Sequence, residues 1–367
     1  MRKLLALCVL TPAAVMASAA TATAVPNPWH AMTFNDQTTG VQLYAVDALS
    51  ATDAWAGGET HPGHPAFDHW NGSTWTHVKA APVPNTTDAG VEGIKVLPAG
   101  VWAVGVAQGT GFFPVSFLEH STDGSTFTLQ RMPAYAELKA IDGSSATNLW
   151  AVGGDDNLQP VITHWDGTSW KKSYTLPGVG GQFLSVVDIA SNDVWAVGNT
   201  YTGNPGTAHP LAAHWNGTSW ARVGLPGAGP NSVEDGVAGS SATNVWTAGY
   251  VTQDLEICIV CHGLVDALTG GAWAPDNPPT APIHRQLYGI ATTGRTNVWA
   301  IGTRSSANYR DSYNLLDHWN GSSWTSFGGP NVGTVNALDA ITTVPGLANA
   351  FWAVGTTKQG SEILRCC

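Results

Sequence analysis

A tryptophan motif written seven times constrains this chain more than any other feature. The Trp recurs at positions 55, 102, 150, 195, 246, 299 and 352, with successive gaps of 47, 48, 45, 51, 53 and 53 residues. Around it each repeat writes an apolar stretch, a short polar turn and the tryptophan stretch itself, as in Leu138 to Asp142, Ser144 to Asn148 and Leu149-Trp-Ala-Val-Gly153. A second signature follows in four repeats: His69-Trp-Asn-Gly-Ser-Thr-Trp75, His164-Trp-Asp-Gly-Thr-Ser-Trp170, His214-Trp-Asn-Gly-Thr-Ser-Trp220 and His318-Trp-Asn-Gly-Ser-Ser-Trp324. Asn-Gly and Asp-Gly favour the paired positive φ angles of a type I′ hairpin, which would join a third and a fourth strand. Degenerate copies run from His120 to Phe127 and from Asp266 to Trp273, the latter reading as a turn lengthened around Gly270 and Gly271.

Four short strands per period of about 50 residues mark the blades of a β-propeller. No segment keeps helical periodicity over ten or more residues, which excludes helical solenoids. The 42 glycines and 17 tryptophans fit a turn-rich all-β chain. The expected fold is therefore a seven-bladed β-propeller with four antiparallel strands per blade. The last repeat stops after three strands, at Cys367, and Asn27 to Phe34 reads like the outer strand Ser323 to Phe327. The N-terminal strand is thus expected to complete blade seven and remove the open edge of the ring. The repeated indoles are assigned to packing between blades, at roughly 2 to 3 kcal/mol each.

The pair of patterns Val-Trp-Ala-Val-Gly and His-Trp-Asn-Gly-Thr-Ser-Trp resembles the repeats of secreted bacterial propellers of the kelch type and of the sialidase-like (BNR, Asp-box) type. The resemblance spans residues 27–367. Its kelch-like element, Gly-Gly after the Trp strand, is present at Gly57-Gly58 and Gly153-Gly154, and Ser121 to Phe127 is similar to an Asp-box one residue short. It implies the fold and leaves activity open, because propellers host hydrolases, oxidases, lectins and scaffolds alike.

Residues 1–24 read as a secretory signal peptide, with Arg2 and Lys3 ahead of an apolar run and small residues up to Ala24. Cys8 falls inside that apolar run. Residues 25–367 then form one propeller domain, secreted and extracellular. Cleavage would move the net charge from -11 to -13, an acidic surface that argues against nucleic acid and anionic membrane as partners. A monomer is expected.

Residues that build blades recur in every repeat, whereas residues that carry function need not, and this contrast serves as an internal filter. The histidines at 69, 120, 164, 214 and 318 share one repeated position and are assigned to blade hydrogen bonding. Two residues before the buried Val or Ile of each first strand, the chain places Tyr44, Glu92, Lys139, Ser185, Asp235, Tyr288 and Asp339 in turn. These are expected to ring the mouth of the central channel, either as varied polar residues that simply face a water-filled channel or as a ring that binds a polar or cationic small ligand. A second variable set lies between strands two and three: Glu59 to Asp68 with His61, His64 and Phe67, Asn199 to Pro210 with Tyr201, and Thr303 to Asn314 with Tyr309, Arg310 and Tyr313. Such loops are where recognition concentrates on a rigid scaffold. Glu59, His61, His64 and Asp68 are suitable ligand types for a metal, but their spacing matches no template, so no metal is expected.

Cys258-Ile-Val-Cys261-His262 spells the c-type haem attachment motif. It lacks the small helical domain such haem needs, so no cofactor is expected. Cys258 is instead expected to pair with Cys261, and Cys366 with Cys367, because the two sets should lie on opposite faces of the disc. No phosphate loop, nucleophile elbow or His-Glu-x-x-His helix is present. Asp155, Asp156, Glu234 and Asp235 could in principle supply the two carboxylates of a glycosidase. The leading expectation is a non-catalytic extracellular propeller that engages a glycan or a protein. The alternative is a secreted glycoside hydrolase or related enzyme acting on polysaccharide.

Overall fold

The computed structural model describes residues 26–32, 40–109, 114–132, 137–202, 207–252, 261–278, 284–306, 311–330, 336–358 and 360–367. The described residues form seven sheets of four antiparallel strands, arranged as the blades of a propeller. Blade one runs from Gln42 to Lys79, blade two from Thr86 to Leu129, blade three from Glu137 to Thr175 and blade four from Gly180 to Val223. Blades five and six run from Ser232 to Pro275 and from Arg285 to Gly328, and blade seven takes three strands from Asn336 to Cys366. Its fourth strand is Trp29–Ala31, paired through Trp29 with Cys366 and Ala31 with Leu364. Among the described residues no helix is long and apolar enough to cross a membrane.

Each second strand carries its Trp between neighbouring blades, and none of the seven indoles is more than 6% exposed. In five blades the repeated histidine stacks on that indole, from Trp102 with His120 at 3.7 Å between ring centres to Trp299 with His318 at 4.4 Å. Four of these imidazoles also bond the Asp or Asn that opens the second strand: His69 with Asp53, His164 with Asn148, His214 with Asp193 and His318 with Asn297. In blade two Gly100 stands at that place, and His120 Nε2 is buried without a partner. Blade seven puts Arg365 in the histidine's position, its guanidinium 4.9 Å from the Trp352 ring centre. The histidines are thus structural, as their repetition implied.

The glycine three residues after each Trp has a steric reason that recurs in every blade. A β-carbon on Gly58 would lie 1.8 Å from the carbonyl oxygen of Gln42, and one on Gly249 1.9 Å from that of Val233. First strand and second strand approach so closely here that only glycine fits. Opposite this glycine every first strand carries a β-bulge, as between Leu43 and Ala45 or Leu138 and Ala140. A bulge adds one residue and re-aims its side chain.

Two expectations about turns are corrected. In Asn71-Gly72, Asp166-Gly167, Asn216-Gly217 and Asn320-Gly321 only the glycine has positive φ, so the turn is not type I′. The Asx side chain decides the geometry instead: Asn71 Oδ1 accepts from the amides of Ser73 and Thr74, both at 3.0 Å. The blade-five turn is not lengthened. Leu268 pairs with Trp273 as Trp70 does with Trp75, and Gly270 and Gly271 both take positive φ, at 67° and 88°.

Candidate functional site at the channel mouth

The seven bulges deliver one side chain each to the axis of the ring. They are Tyr44, Glu92, Lys139, Leu184, Asp235, Tyr288 and Asp339, and all line one cavity of about 180 Å³. Six of the seven residues expected from the sequence are therefore in place. In blade four the bulge residue is Leu184 and not Ser185, because Phe183 pairs with Gly198 and Ser185 with Val197. Two valines follow in succession, and counting back from Val187 instead of Val186 shifted the expectation by one. Ser185 still lines the cavity, and its hydroxyl accepts from the Val237 amide of blade five at 3.2 Å.

The floor of the cavity is apolar, made by Val46, Ile94, Ile141, Val237, Ile290 and Ile341, which also line a second cavity below it. That lower chamber holds a buried charge bridge: Lys95 Nζ lies 2.6 Å from Asp142 Oδ1 and 3.6 Å from Asp47 Oδ2. Burial works against the Lys95 charge, but Asp142 and Asp47 outweigh it and hold the ammonium protonated. Asp47 Oδ2 also accepts from the Val96 amide and Asp142 Oδ2 from the Asp188 amide, so these carboxylates tie adjacent blades together.

At the upper mouth Lys139 and the two phenols are engaged within the protein. Lys139 Nζ bridges Glu137, at 3.2 Å, and Glu92, at 3.6 Å. Tyr44 Oη is 2.5 Å from Gln42 Oε1 and 2.8 Å from Glu59 Oε1, and the Tyr288 hydroxyl donates to Gln286 Oε1 at 2.8 Å. Burial, reinforced by neighbouring acids, raises both phenol pKa values, so these hydroxyls stay protonated. Asp235 and Asp339 flank Tyr288 from blades five and seven. Burial pushes each carboxyl up to about 7, and for Asp339 a bond from Thr356 opposes the rise while Glu92 adds to it. Burial also raises Glu92, against the pull of Lys139.

Tyr250, on the second strand of blade five, meets Tyr288 edge to face at 6.4 Å between ring centres. Neither Tyr250 nor Glu59 repeats in other blades, so the filter applied to first strands would have found both had it been extended to the second strands.

The residues expected between strands two and three fare unevenly. Most of these segments are strand: Tyr201 lies in Asp193–Thr202, which pairs out to Thr202 with Thr207, and Tyr313 lies in Ser312–Trp319. Antiparallel pairing simply continues past the point where the sequence suggested loop. Tyr201 is 46% exposed and lines an apolar pocket of about 270 Å³ with Leu158, Gln182, Glu137 and Asp155. The Arg304 guanidinium lies 5.4 Å from the ring centre of Tyr313. Tyr309, Arg310 and Cys258 lie outside the described residues. Phe67 is in the core, stacked on Phe127 at 4.0 Å.

The candidate metal ligands are not brought together: Glu59 turns to Tyr44, and Asp68 faces His77 at 3.4 Å. Asp155 caps a turn through the amides of Asn157 and Gln159 and holds Lys172 at 3.0 Å, and Glu234 is fully buried inside blade five. Cys261 pairs with Thr252 at the mouth end of blade five, whereas Cys366 pairs with Phe351 at the opposite end of blade seven. The adjacent sulfurs of Cys366 and Cys367 are in contact.

No protein-family model matches the sequence, and no curated protein does. The fold is similar to YCF48 bound to D1 peptide, at 14% identity and a TM-score of 0.59 over 93% of this chain and 96% of that one. It is also similar to the GH74 xyloglucanase from Xanthomonas campestris, at 14% identity and a TM-score of 0.58 over 91% of this chain and 54% of that one. A third likeness is the extracellular domain of the putative hybrid two component system BT4673 from B. thetaiotaomicron, at 11% identity and a TM-score of 0.57 over 92% of this chain and 39% of that one. Identities this low carry the fold alone. The chain is a seven-bladed β-propeller.

Proposed function

We propose that this protein is an extracellular binding propeller that engages a protein or a glycan through its channel mouth and the adjoining face. One observation carries the reading: the unrepeated side chains of the first strands converge on a single cavity, while the repeated Trp, His and Gly residues are consumed in building blades. Varied residues on a uniform scaffold are the pattern expected of recognition. The exposed Tyr201 and its pocket extend this surface outward, next to Glu137, which contacts Lys139 of the mouth. That YCF48 is a propeller bound to a peptide is compatible with a protein partner, and the GH74 enzyme with a glycan. Of the four carboxylates considered for a glycosidase, Asp155 is committed to a turn, Glu234 to a blade interior and Asp156 lies exposed outside the cavity, so Asp235 alone of that set reaches the mouth, which favours binding over hydrolysis.

Peptide and glycan arrays probed with the wild-type chain and with a Glu92→Gln, Asp235→Asn, Asp339→Asn variant test the proposal. Ligands retained by wild type and lost by the variant are expected. Shortening of a polysaccharide during incubation, or array binding indifferent to the mouth substitutions, would overturn it.

A further inference from the structure

We infer that the mouth cavity accepts an alkylammonium group, the lysyl side chain of a partner protein, with the charged end between Asp235 and Asp339 and the methylenes over the apolar floor. This rests on the mouth being the binding site and names the chemistry it selects. The inference comes from what each lining group has left to offer. Lys139 is held by Glu92 and Glu137, the single phenol proton of Tyr44 is shared between Gln42 and Glu59, and that of Tyr288 is directed to Gln286. The two tyrosines therefore have only a phenol oxygen and an aromatic ring still to offer, and both attract a cation.

The acids complete the set. Asp235 has no hydrogen-bond or ion-pair partner within the described protein, and it lines the cavity. Asp339 is part-buried and lines the same cavity, with Thr356 beside it, and its Oδ2 has no hydrogen-bond partner. A buried carboxylate without a partner is costly, and a donor brought by a ligand relieves that cost. Ser185 and Lys139 each keep a donor, but the ionisable groups left without a counter-charge are the two carboxyls, and the ligand that complements them is a donor with positive charge.

Two further observations narrow the class. The free acids belong to different blades, and among the described residues no group of three or more potential ligands could hold a metal ion. The floor of Val46, Ile94, Ile141, Val237, Ile290 and Ile341 suits methylenes, and about 180 Å³ holds about six waters, or one unbranched side chain.

Calorimetric titration of the full chain with cadaverine tests the assignment, with pentanol, glucosamine and calcium chloride as separate arms. Cadaverine is expected to bind wild type, pentanol not to, and an Asp235→Asn/Asp339→Asn variant to bind cadaverine at least tenfold more weakly with its near-ultraviolet circular dichroism unchanged. Should the double variant fail to fold, the wild type alone remains decisive. Its cadaverine affinity is expected to rise severalfold from pH 6 to pH 8 as Asp235 and Asp339 ionise, with Glu92, Lys139, Tyr44, Tyr288, Tyr250, Glu59 and Glu137 as the other titratable groups at the mouth and Glu234 and Glu362 behind the two acids. No binding of cadaverine, equal affinity in the double variant, a flat pH profile, or calcium or glucosamine binding as tightly as cadaverine would overturn it. If cadaverine fails while array ligands are still lost on mouth substitution, the ammonium assignment falls and the binding mouth stands. If both fail, the mouth itself is wrong.

Discussion

A β-carbon on Gly153 would lie 1.9 Å from the carbonyl oxygen of Glu137. The glycine belongs to the repeat, and two residues after Glu137 comes Lys139, which does not. Close approach at the glycine permits the bulge, and the bulge presents Lys139 to the channel. The Gly153→Ala variant is therefore expected to lose about 3 kcal/mol, the upper end of overpacking penalties, because the obstacle is backbone and cannot rotate away. Urea melts check the magnitude, and a loss below 0.5 kcal/mol would contradict this steric account.

The bridge of Lys95 with Asp142 and Asp47 makes a second prediction. All three side chains are at most 22% exposed, so Lys95→Met leaves two carboxylates facing each other without compensation. A loss of about 3 kcal/mol is expected, in the range for breaking a buried pair. Adding Asp47→Asn and Asp142→Asn to that variant should restore part of the loss, which chemical denaturation of the single and triple variants measures.

The stacked histidines differ in a way that can be read out. His164 both stacks on Trp150 and bonds Asn148 at 2.7 Å, whereas His120 stacks on Trp102 with no partner for Nε2. Replacing His164 with Ala should cost about 2 kcal/mol and replacing His120 about 1 kcal/mol. Equal losses in thermal melts would mean that the Asn148 bond contributes nothing.

Stability should fall as pH rises from 6.5 to 8.5. Glu119 is fully buried, its carboxylate accepts only the Ala81 amide at 2.9 Å, and burial pushes it up to about 7. Its folded pKa lies above the ordinary value for Glu. Proton binding by the folded state therefore adds stability that is complete below the unfolded pKa and is lost as pH rises through 7. Glu362, raised by burial to about 8, acts in the same direction, and the lowered imidazoles matter only below this window. In Glu119→Gln the slope of melting temperature against pH should flatten, with a gain of about 2 kcal/mol at pH 8.5. Parallel slopes for variant and wild type would refute it.

How much was legible in the sequence follows from what repetition records. The Trp spacing carried the blade count, and the three-stranded last repeat with the likeness of Asn27 to Phe34 to an outer strand carried the closure by Trp29, because both are requirements of packing that every blade must meet. The channel residues were legible because first strands keep a fixed phase, and the phase slipped only where Val186 and Val187 stand together. Register there is set by the bulge opposite Gly198, a feature of paired backbones that one strand's composition does not encode. The turn type was misread because Asx side chains compete for the Ser and Thr amides, which the Asn-Gly pair alone does not reveal. Tyr250 was missed because the contrast between repeated and unrepeated residues was drawn on first strands, whereas Tyr250 stands on a second strand, four residues after Trp246, where no other blade carries tyrosine.

The division between blade-building and ligand-binding residues is tested most directly by measuring, side by side, ligand affinity and melting temperature for Asp235→Asn and His164→Ala. With an array ligand retained by wild type, Asp235→Asn is expected to weaken binding at least tenfold while melting no lower than wild type at pH 8. His164→Ala is expected to melt lower and bind unchanged. The reverse pattern, with binding lost through His164 and untouched at Asp235, would contradict the assignment of function to the channel mouth.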